Sequence, residues 1–344
     1  MSSTTLPSQP EQSLNLSSKA RAFYELMKPG ILRLLVLTTV CTMVVASQGM
    51  PRLDLMLWTL LGTTLVCGSA NAINMVWDQD IDQIMNRTAH RPLVTGRLNT
   101  KEALIFSASI GLLGVLILTY FANPLAALMG VCGHVFYVVI YTMWLKRSTP
   151  QNIVIGGAAG AFPPLIGWAA VTGELSAAAW LIFALIFLWT PPHFWALALY
   201  KDIEYGKAGV PMMPVVQGHH TTIFQMLVYT MLLLGCTTLL AVMSTMGLVY
   251  LISSIALGAG FAYFCIRLAF SKDTEKWAKK TFAYSILYLA LIFGAMSVDA
   301  VYTTHFTEEG YLMSIEAEAK RLRAQETEKH IQELRQQNLS VNPK

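Results

Sequence analysis

Apolar residues run along this chain in blocks of roughly twenty, the length a helix needs to cross the hydrocarbon of a bilayer, and short polar clusters separate the blocks. The runs predict helices at about 30–49, 54–77, 102–121, 125–145, 151–171, 177–200, 222–243, 247–268 and 281–302. Ala122-Asn123-Pro124, Thr172-Gly173-Glu174-Leu175 and Ser244-Thr245-Met246-Gly247 leave room only for turns. The fold class that follows is an all-α polytopic membrane protein, a bundle of about nine transmembrane helices. Residues 1–22 read as a polar N-terminal tail, 23–302 as the transmembrane domain and 303–344 as a charged C-terminal tail.

Composition agrees: 54% of the 344 residues are apolar and 13% charged, with a mean hydropathy of +0.50, which excludes an ordinary soluble enzyme. The net charge is only +4 and no basic face accompanies a soluble fold. The bilayer is therefore an expected partner and nucleic acid is not. Cys41, Cys67, Cys132, Cys236 and Cys265 lie inside apolar runs, where packing is their expected role rather than disulfides or zinc. Met1 to Ser18 lack an apolar stretch beside a cleavage site, so the first span is expected to act as the anchor. Lys19, Arg21, Lys28 and Arg33, then Arg87, Arg91, Arg97 and Lys101, then Lys146 and Arg147, then Lys201 and Lys207, then Arg267, Lys272, Lys276, Lys279 and Lys280 flank one side, against Arg52 on the other. The positive-inside rule then predicts a cytoplasmic N-terminus and a C-terminus outside. The tail carries helical spacing at Ile315, Leu322, Ile331 and Leu334 and reads as a solvated helix without chemistry.

Charged groups at the membrane edge are costly, and three clusters of them lie on the cytoplasmic side. In the first, Asn74, Asp78 and Asp82 are four apart; at 100° per residue they stay within about 80° of one helix face. Such a stripe repels itself unless a cation neutralises it, and hard oxygens suit Mg²⁺ shared with a diphosphate; alternatively the segment is a polar cap on span 2. Asp80 points the opposite way. The second cluster, Lys146 and Arg147, joins Arg87 and Arg91 as possible diphosphate partners, or marks topology. The third ends span 6: Trp189-Thr190-Pro191-Pro192-His193, then Lys201, Asp202, Glu204 and Tyr205. Its place four spans after the first predicts two four-helix pseudo-repeats, with two acidic sites facing across a central cavity that opens to the cytoplasmic side. His193 follows a Pro-Pro break and reads either as a hydrogen-bonded core residue or as a ligand.

Asn74-x-x-x-Asp78-x-x-x-Asp82 resembles the signature of the intramembrane UbiA-type prenyltransferases. Arg87-Thr-x-x-Arg91-Pro-Leu, Tyr141-Thr-x-Trp-Leu-Lys146-Arg147-x-Thr-Pro-Gln-Asn152, Pro163-Pro-Leu-Ile-Gly167-Trp168, Trp189-Thr-Pro-Pro-His193-Phe-Trp and Ala208-Gly-Val-Pro-Met-Met-Pro are similar to the haem-specific branch of that family, over roughly residues 20–302. The resemblance implies transfer of a farnesyl group from farnesyl diphosphate to a vinyl group of haem B, with water added, giving haem O. It also implies Mg²⁺ held by Asn74, Asp78 and Asp82, and catalytic roles for these three with Asp202 and Glu204. Arg87, Arg91, Lys146, Arg147 and Lys201 would bind diphosphate, and His193 the haem substrate. Further expectations are a bacterial inner-membrane location and a downstream haem oxygenase or terminal oxidase assembly factor as a partner.

The second acidic motif departs from that of the aromatic-acceptor enzymes, because Gly206 stands four after Asp202; which of Asp202 and Glu204 meets the metal is left open. The run from Gly156 to Gly160 lacks the Lys-Ser/Thr ending of a nucleotide loop, and is expected to permit close packing or to leave room for a bulky ligand. Two rival readings are an aromatic polyprenyltransferase of a quinone pathway, which gives no reason for the Thr-Pro-Pro-His193 segment, and an ion-coupled transporter, whose acids belong at the midplane.

Overall fold

The computed structural model describes residues 16–243, 246–306 and 315–329. Among the described residues nine helices are long and apolar enough to cross a membrane, so the chain is an integral membrane protein of all-α class: spans 1 to 9 are Pro29–Ala46, Leu53–Trp77, Thr100–Ala122, Pro124–Ser148, Asn152–Thr172, Ala177–Leu199, Met213–Met243, Leu248–Ala269 and Thr274–Tyr302. Local chemistry sets many of their limits. Asn99 and Glu102 form a reciprocal capping box at the start of span 3, Asn123 caps span 4 ahead of Pro124, and Gly173 in a left-handed conformation (φ 74°) closes span 5. The turn at Ser244 and Thr245 lies outside the described residues, as do Ile331 and Leu334 of the tail. Residues 315–329 are helical and solvent-exposed.

Two local expectations need correction. Span 6 runs unbroken through Pro191-Pro192. Proline removes backbone donors without forbidding helical φ, and the Thr190 hydroxyl bonds the Ile186 carbonyl at 2.7 Å beside them. Span 7 begins nine residues before the predicted 222, because a short helical stretch joins it across a kink at Gly218 (φ 78°, ψ 168°), a conformation open to glycine.

The helices pack around a central cavity, and spans 5 and 6 are the two most buried (67% and 61% of their apolar windows, against 22% for span 3). Span 1 packs on 2 and span 5 on 6, while span 2 packs on 3 and span 6 on 7, which is the pairing two pseudo-repeats require; span 9 closes the ring against spans 1 and 6. At the far end of this closure Asp299, buried on span 9, caps span 8 by accepting the backbone N–H of Gly247 and of Tyr250. A central cavity of about 470 Å³ is lined by spans 1, 2, 4, 5, 6 and 9 and by the segments after spans 2 and 6.

Candidate functional site

The polar end of the cavity is built where span 2 stops. Its last helical residue is Trp77, Asp78 serves as the C-cap, and a short helix Gln79–Ile84 follows. The four-residue register nonetheless survives the junction: the N–H of Asp78 reaches the Asn74 carbonyl and that of Asp82 the Asp78 carbonyl. Asn74, Asp78 and Asp82 are accordingly all buried and line the cavity together. Asp80, on the opposite side, is exposed.

Each of the three is already partnered. Asn74 donates to Asp78 Oδ2 at 2.8 Å and to Thr142 Oγ1 at 3.0 Å, while its Oδ1 accepts from Lys28. Asp78 Oδ2 also accepts from Lys146, and Asp82 Oδ2 from Arg91 at 2.5 Å. Asp78 Oδ1 is buried without a hydrogen bond; Arg147 stands 3.8 Å from it, beyond hydrogen-bond reach. A buried, unsatisfied carboxylate oxygen is the donor a hard cation takes. With only two carboxylates present, a divalent ion would complete its shell with water and phosphate oxygens, as Mg²⁺ usually does. Asn74, tied at both ends, holds Asp78 in place.

Four basic side chains, Lys28, Arg87, Arg91 and Lys146, line the cavity against the two carboxylates. Such an excess in a desolvated pocket calls for an anion. Lys28 was legible in the sequence only as a topology signal, yet its backbone adopts a left-handed conformation (φ 55°) that turns it onto Asn74. Burial holds its ammonium well below the usual lysine range, with Arg91 and Lys146 acting in the same direction. Arg87 stands near Tyr205, whose phenol also lines the cavity and is pushed up by burial.

Four of the predicted site residues are not in the cavity wall. Arg147 turns outward, held by Asp80 at 2.7 Å through two nitrogens and by the Trp77 carbonyl at 3.0 Å; this pair holds the Asp80 carboxyl down at about 2. Asp202 bonds His219 Nε2 at 2.8 Å in a separate surface cleft, and Lys201 pairs with Glu204 at 2.6 Å. The expectation that two acidic sites face each other is corrected, because the helix Asp202–Lys207 presents Tyr205 inward. Glu204 Oε2 is buried and unpartnered but does not line the cavity.

Span 4 is wound over Phe136–Leu145 as a π-helix, whose wider turn is frequent at functional sites. It brings Tyr137, Tyr141 and Lys146 to the cavity, and Thr142 Oγ1 bonds the carbonyl five residues back at 2.8 Å. The glycine run divides in two. A Cβ on Gly156 would enter the Tyr141 ring and one on Gly157 would lie 2.9 Å from Thr190, whereas Gly160 has nothing within 4 Å and lines the cavity.

His193, on span 6, lines the same cavity. Trp189 and Phe282 stack on its two faces at 4.3 and 4.7 Å between centroids. Nδ1 lies 2.6 Å from Ser285 Oγ, and that hydroxyl gives its own proton to the Phe282 carbonyl at 2.6 Å. The proton count therefore makes Nδ1 the donor and leaves Nε2 with a bare lone pair. An imidazole so oriented suits a metal such as haem iron, since the non-ligating nitrogen of a metal-bound histidine normally donates to a fixed acceptor.

A family model described as "UbiA prenyltransferase family" matches residues 34–292. The chain is 47% identical over 299 residues to the "Protoheme IX farnesyltransferase" of Gloeobacter violaceus, covering 87% of this chain and 98% of that one. It is 48% identical over 292 residues to the protein of the same name from Symbiobacterium thermophilum, covering 85% and 98%. Among solved structures, one described as "Structural and mechanistic insights into the biosynthesis of Digeranylgeranylglyceryl phosphate synthase in membranes" superposes with a TM-score of 0.70 at 20% identity, covering 82% of this chain and 99% of that one. A "UbiA homolog from Archaeoglobus fulgidus bound to DMAPP and Mg2+" superposes at 0.59 and 18%, covering 80% and 99%. At these identities the structural likeness speaks for the fold.

Proposed function

This chain belongs to the UbiA prenyltransferase family, and from that premise we propose that it transfers the farnesyl group of farnesyl diphosphate to a vinyl group of haem B, with addition of water, to give haem O and diphosphate. The observation that carries the reading is a single cavity whose charged end holds Asp78, Asp82 and four basic groups while its apolar wall presents an oriented imidazole, His193. The relatives named protoheme IX farnesyltransferase support the same acceptor. Lys146, Arg91, Arg87 and Lys28 receive the diphosphate, and Asp78 and Asp82 are the residues that would hold Mg²⁺ beside it. Bound there, Mg²⁺ would neutralise charge on the leaving diphosphate as the allylic C–O bond breaks. Tyr137, Tyr141 and Tyr205 close the polar end, and the apolar wall shelters the cationic carbon from stray water. His193 Nε2 takes the haem iron and fixes the vinyl edge relative to the diphosphate.

The distribution of Lys and Arg supports a cytoplasmic N-terminus and a C-terminus outside a bacterial inner membrane. An aromatic polyprenyltransferase would share the charged end but has no use for an imidazole with a bare lone pair, and a transporter would carry its acids nearer the midplane. Incubating the purified protein with haem B, farnesyl diphosphate and magnesium tests the reading, with haem O by mass as the expected product. Prenylation of 4-hydroxybenzoate in its place would overturn it.

A further inference from the structure

The cavity wall carries a second histidine that the reading above leaves without a task. His134 is on span 4, in the part of the cavity lined by Cys67, Ala70, Gly130, Gly133 and Phe162. Its Nε2 lies 3.0 Å from Ser69 Oγ, which lies 3.2 Å from Ser107 Oγ, and the Ser107 hydroxyl donates to the Ser69 carbonyl at 3.0 Å. Counting protons from that carbonyl outward fixes the chain. Ser107 has given its proton away and accepts from Ser69; Ser69 has then given its own and accepts from His134 Nε2–H. His134 is thereby held as the Nε2–H tautomer, and its Nδ1 is an unprotonated base with no hydrogen bond among the described residues.

No other group on this part of the wall offers the same capacity. Thr38 and Thr190 spend their hydroxyl protons on the Leu35 and Ile186 carbonyls of their own helices. Asn71 is an amide, not a base, and donates to the Met27 carbonyl at 3.0 Å. His193 has its free nitrogen committed to iron. Along span 2, Ser69 stands nine residues before Asp78, about 13 Å at 1.5 Å per residue, so His134 is set apart from the end of the cavity that holds the acids.

We propose that His134 Nδ1 is the base that binds and deprotonates the water added during the reaction, an inference that rests on the functional reading above. The C–O bond of farnesyl diphosphate breaks with both electrons leaving on the diphosphate, and the vinyl π pair forms the new C–C bond, which places the positive charge on the carbon next to the porphyrin ring. A lone pair of water forms the C–O bond there, and one of its protons passes to Nδ1. The imidazolium returns to neutral when that proton leaves with the diphosphate. The relay through Ser69 and Ser107 fixes the ring by its Nε2–H and leaves Nδ1 unprotonated on a residue that lines the cavity, where it would position one water in an otherwise apolar space.

The test is the product mixture formed by the full-length protein with haem B, farnesyl diphosphate and magnesium. His134→Gln retains a donor toward Ser69 but has no base. Its rate of forming the hydrated product should fall by about 100-fold, and the farnesylated haem that does form should be lighter by one water, since a cation that is not hydrated loses a proton to give a diene. Ser69→Ala, which keeps the ring but frees its tautomer, should move the mixture the same way by about 10-fold. The absorption spectrum of bound haem and the KM for farnesyl diphosphate should stay as in the wild type. Wild-type rates and product ratio in His134→Gln overturn the proposal. A haem spectrum altered as in His193→Ala overturns it too, by making His134 an iron ligand. A wild-type protein that makes no farnesylated haem instead overturns the underlying reading.

Discussion

His193 and Ser285 are locked to each other at 2.6 Å, with the imidazole as donor, because the Ser285 hydroxyl is committed to the Phe282 carbonyl. The same serine's carbonyl accepts from Trp189 Nε1 at 2.8 Å, so spans 6 and 9 hold the ring from its edge and from both faces. Ser285→Ala should weaken haem affinity by about 10-fold, the scale of losing a partner behind a metal-binding histidine. His193→Ala should cost more and shift the spectrum of bound haem. Farnesyl diphosphate binding, measured by calorimetry, should be unaltered in both; an unchanged spectrum in His193→Ala would return the residue to packing.

Asp78→Asn and Asp82→Asn should each lower turnover by at least about 100-fold, the scale of removing a group aimed at developing charge, at equal abundance in the membrane. More farnesyl diphosphate should not rescue them. Asp80→Asn is the contrasting variant and should stay near the wild-type rate. Activity within about threefold of wild type in both of the first two, on a scale where tenfold is 1.4 kcal/mol, would remove the metal-site proposal.

Lys146 and Arg147 are adjacent yet should behave differently. Lys146→Met strands the buried Asp78 carboxylate and should cost about 3–5 kcal/mol of stability as well as raising the KM for farnesyl diphosphate. Arg147→Met breaks an exposed pair with Asp80, worth under about 1 kcal/mol, and a hydrogen bond to the Trp77 carbonyl, and leaves the Lys146–Asp78 bond in place. Thermal unfolding in detergent and a KM measurement separate the two.

The Asp80–Arg147 pair also has a defined pH window. The pair holds the Asp80 carboxyl at about 2, below its ordinary 3.8, so its contribution is complete above the unfolded value and disappears as pH falls through the folded one. Between pH 5 and 8 the wild type and Asp80→Asn should therefore show parallel stability profiles, and the gap between them should close only in acid below the ordinary 3.8.

Gly156 and Gly160 separate packing from space. Gly156→Ala drives a methyl into the Tyr141 ring and should destabilise by about 1–3 kcal/mol. A Cβ on Gly160 meets no atom within 4 Å, so Gly160→Leu extends into the cavity and should fold normally while raising the KM for haem. Equal loss of stability in both would mean that Gly160 packs as its neighbour does.

Where the sequence was legible, the information was periodic. Asn74, Asp78 and Asp82 are four apart, and helical geometry puts them together even though the helix pauses at Asp78. Paired cations at 146 and 147 look alike in one dimension, and only the winding of span 4 sends one inward and the other out. Lys28 joins the site through a contact across 46 positions and a backbone conformation that composition does not signal. The segment after span 6 misled because the acids at 202 and 204 lie on a single turn of helix whose rotation decides which face enters the cavity. That rotation selects Tyr205, and the Asp202–His219 bond holds the other face outward.

Asp299 gives the last two spans a shared fate during insertion. Asp299 lies near the end of span 9; on a helix inserted alone its carboxylate, like the open N–H groups at the head of span 8, would lack a protein partner. Each satisfies the other only when the two helices lie side by side. Pairing of spans 8 and 9 therefore satisfies both at once, and the hairpin they form is the unit that closes the ring against spans 1 and 6.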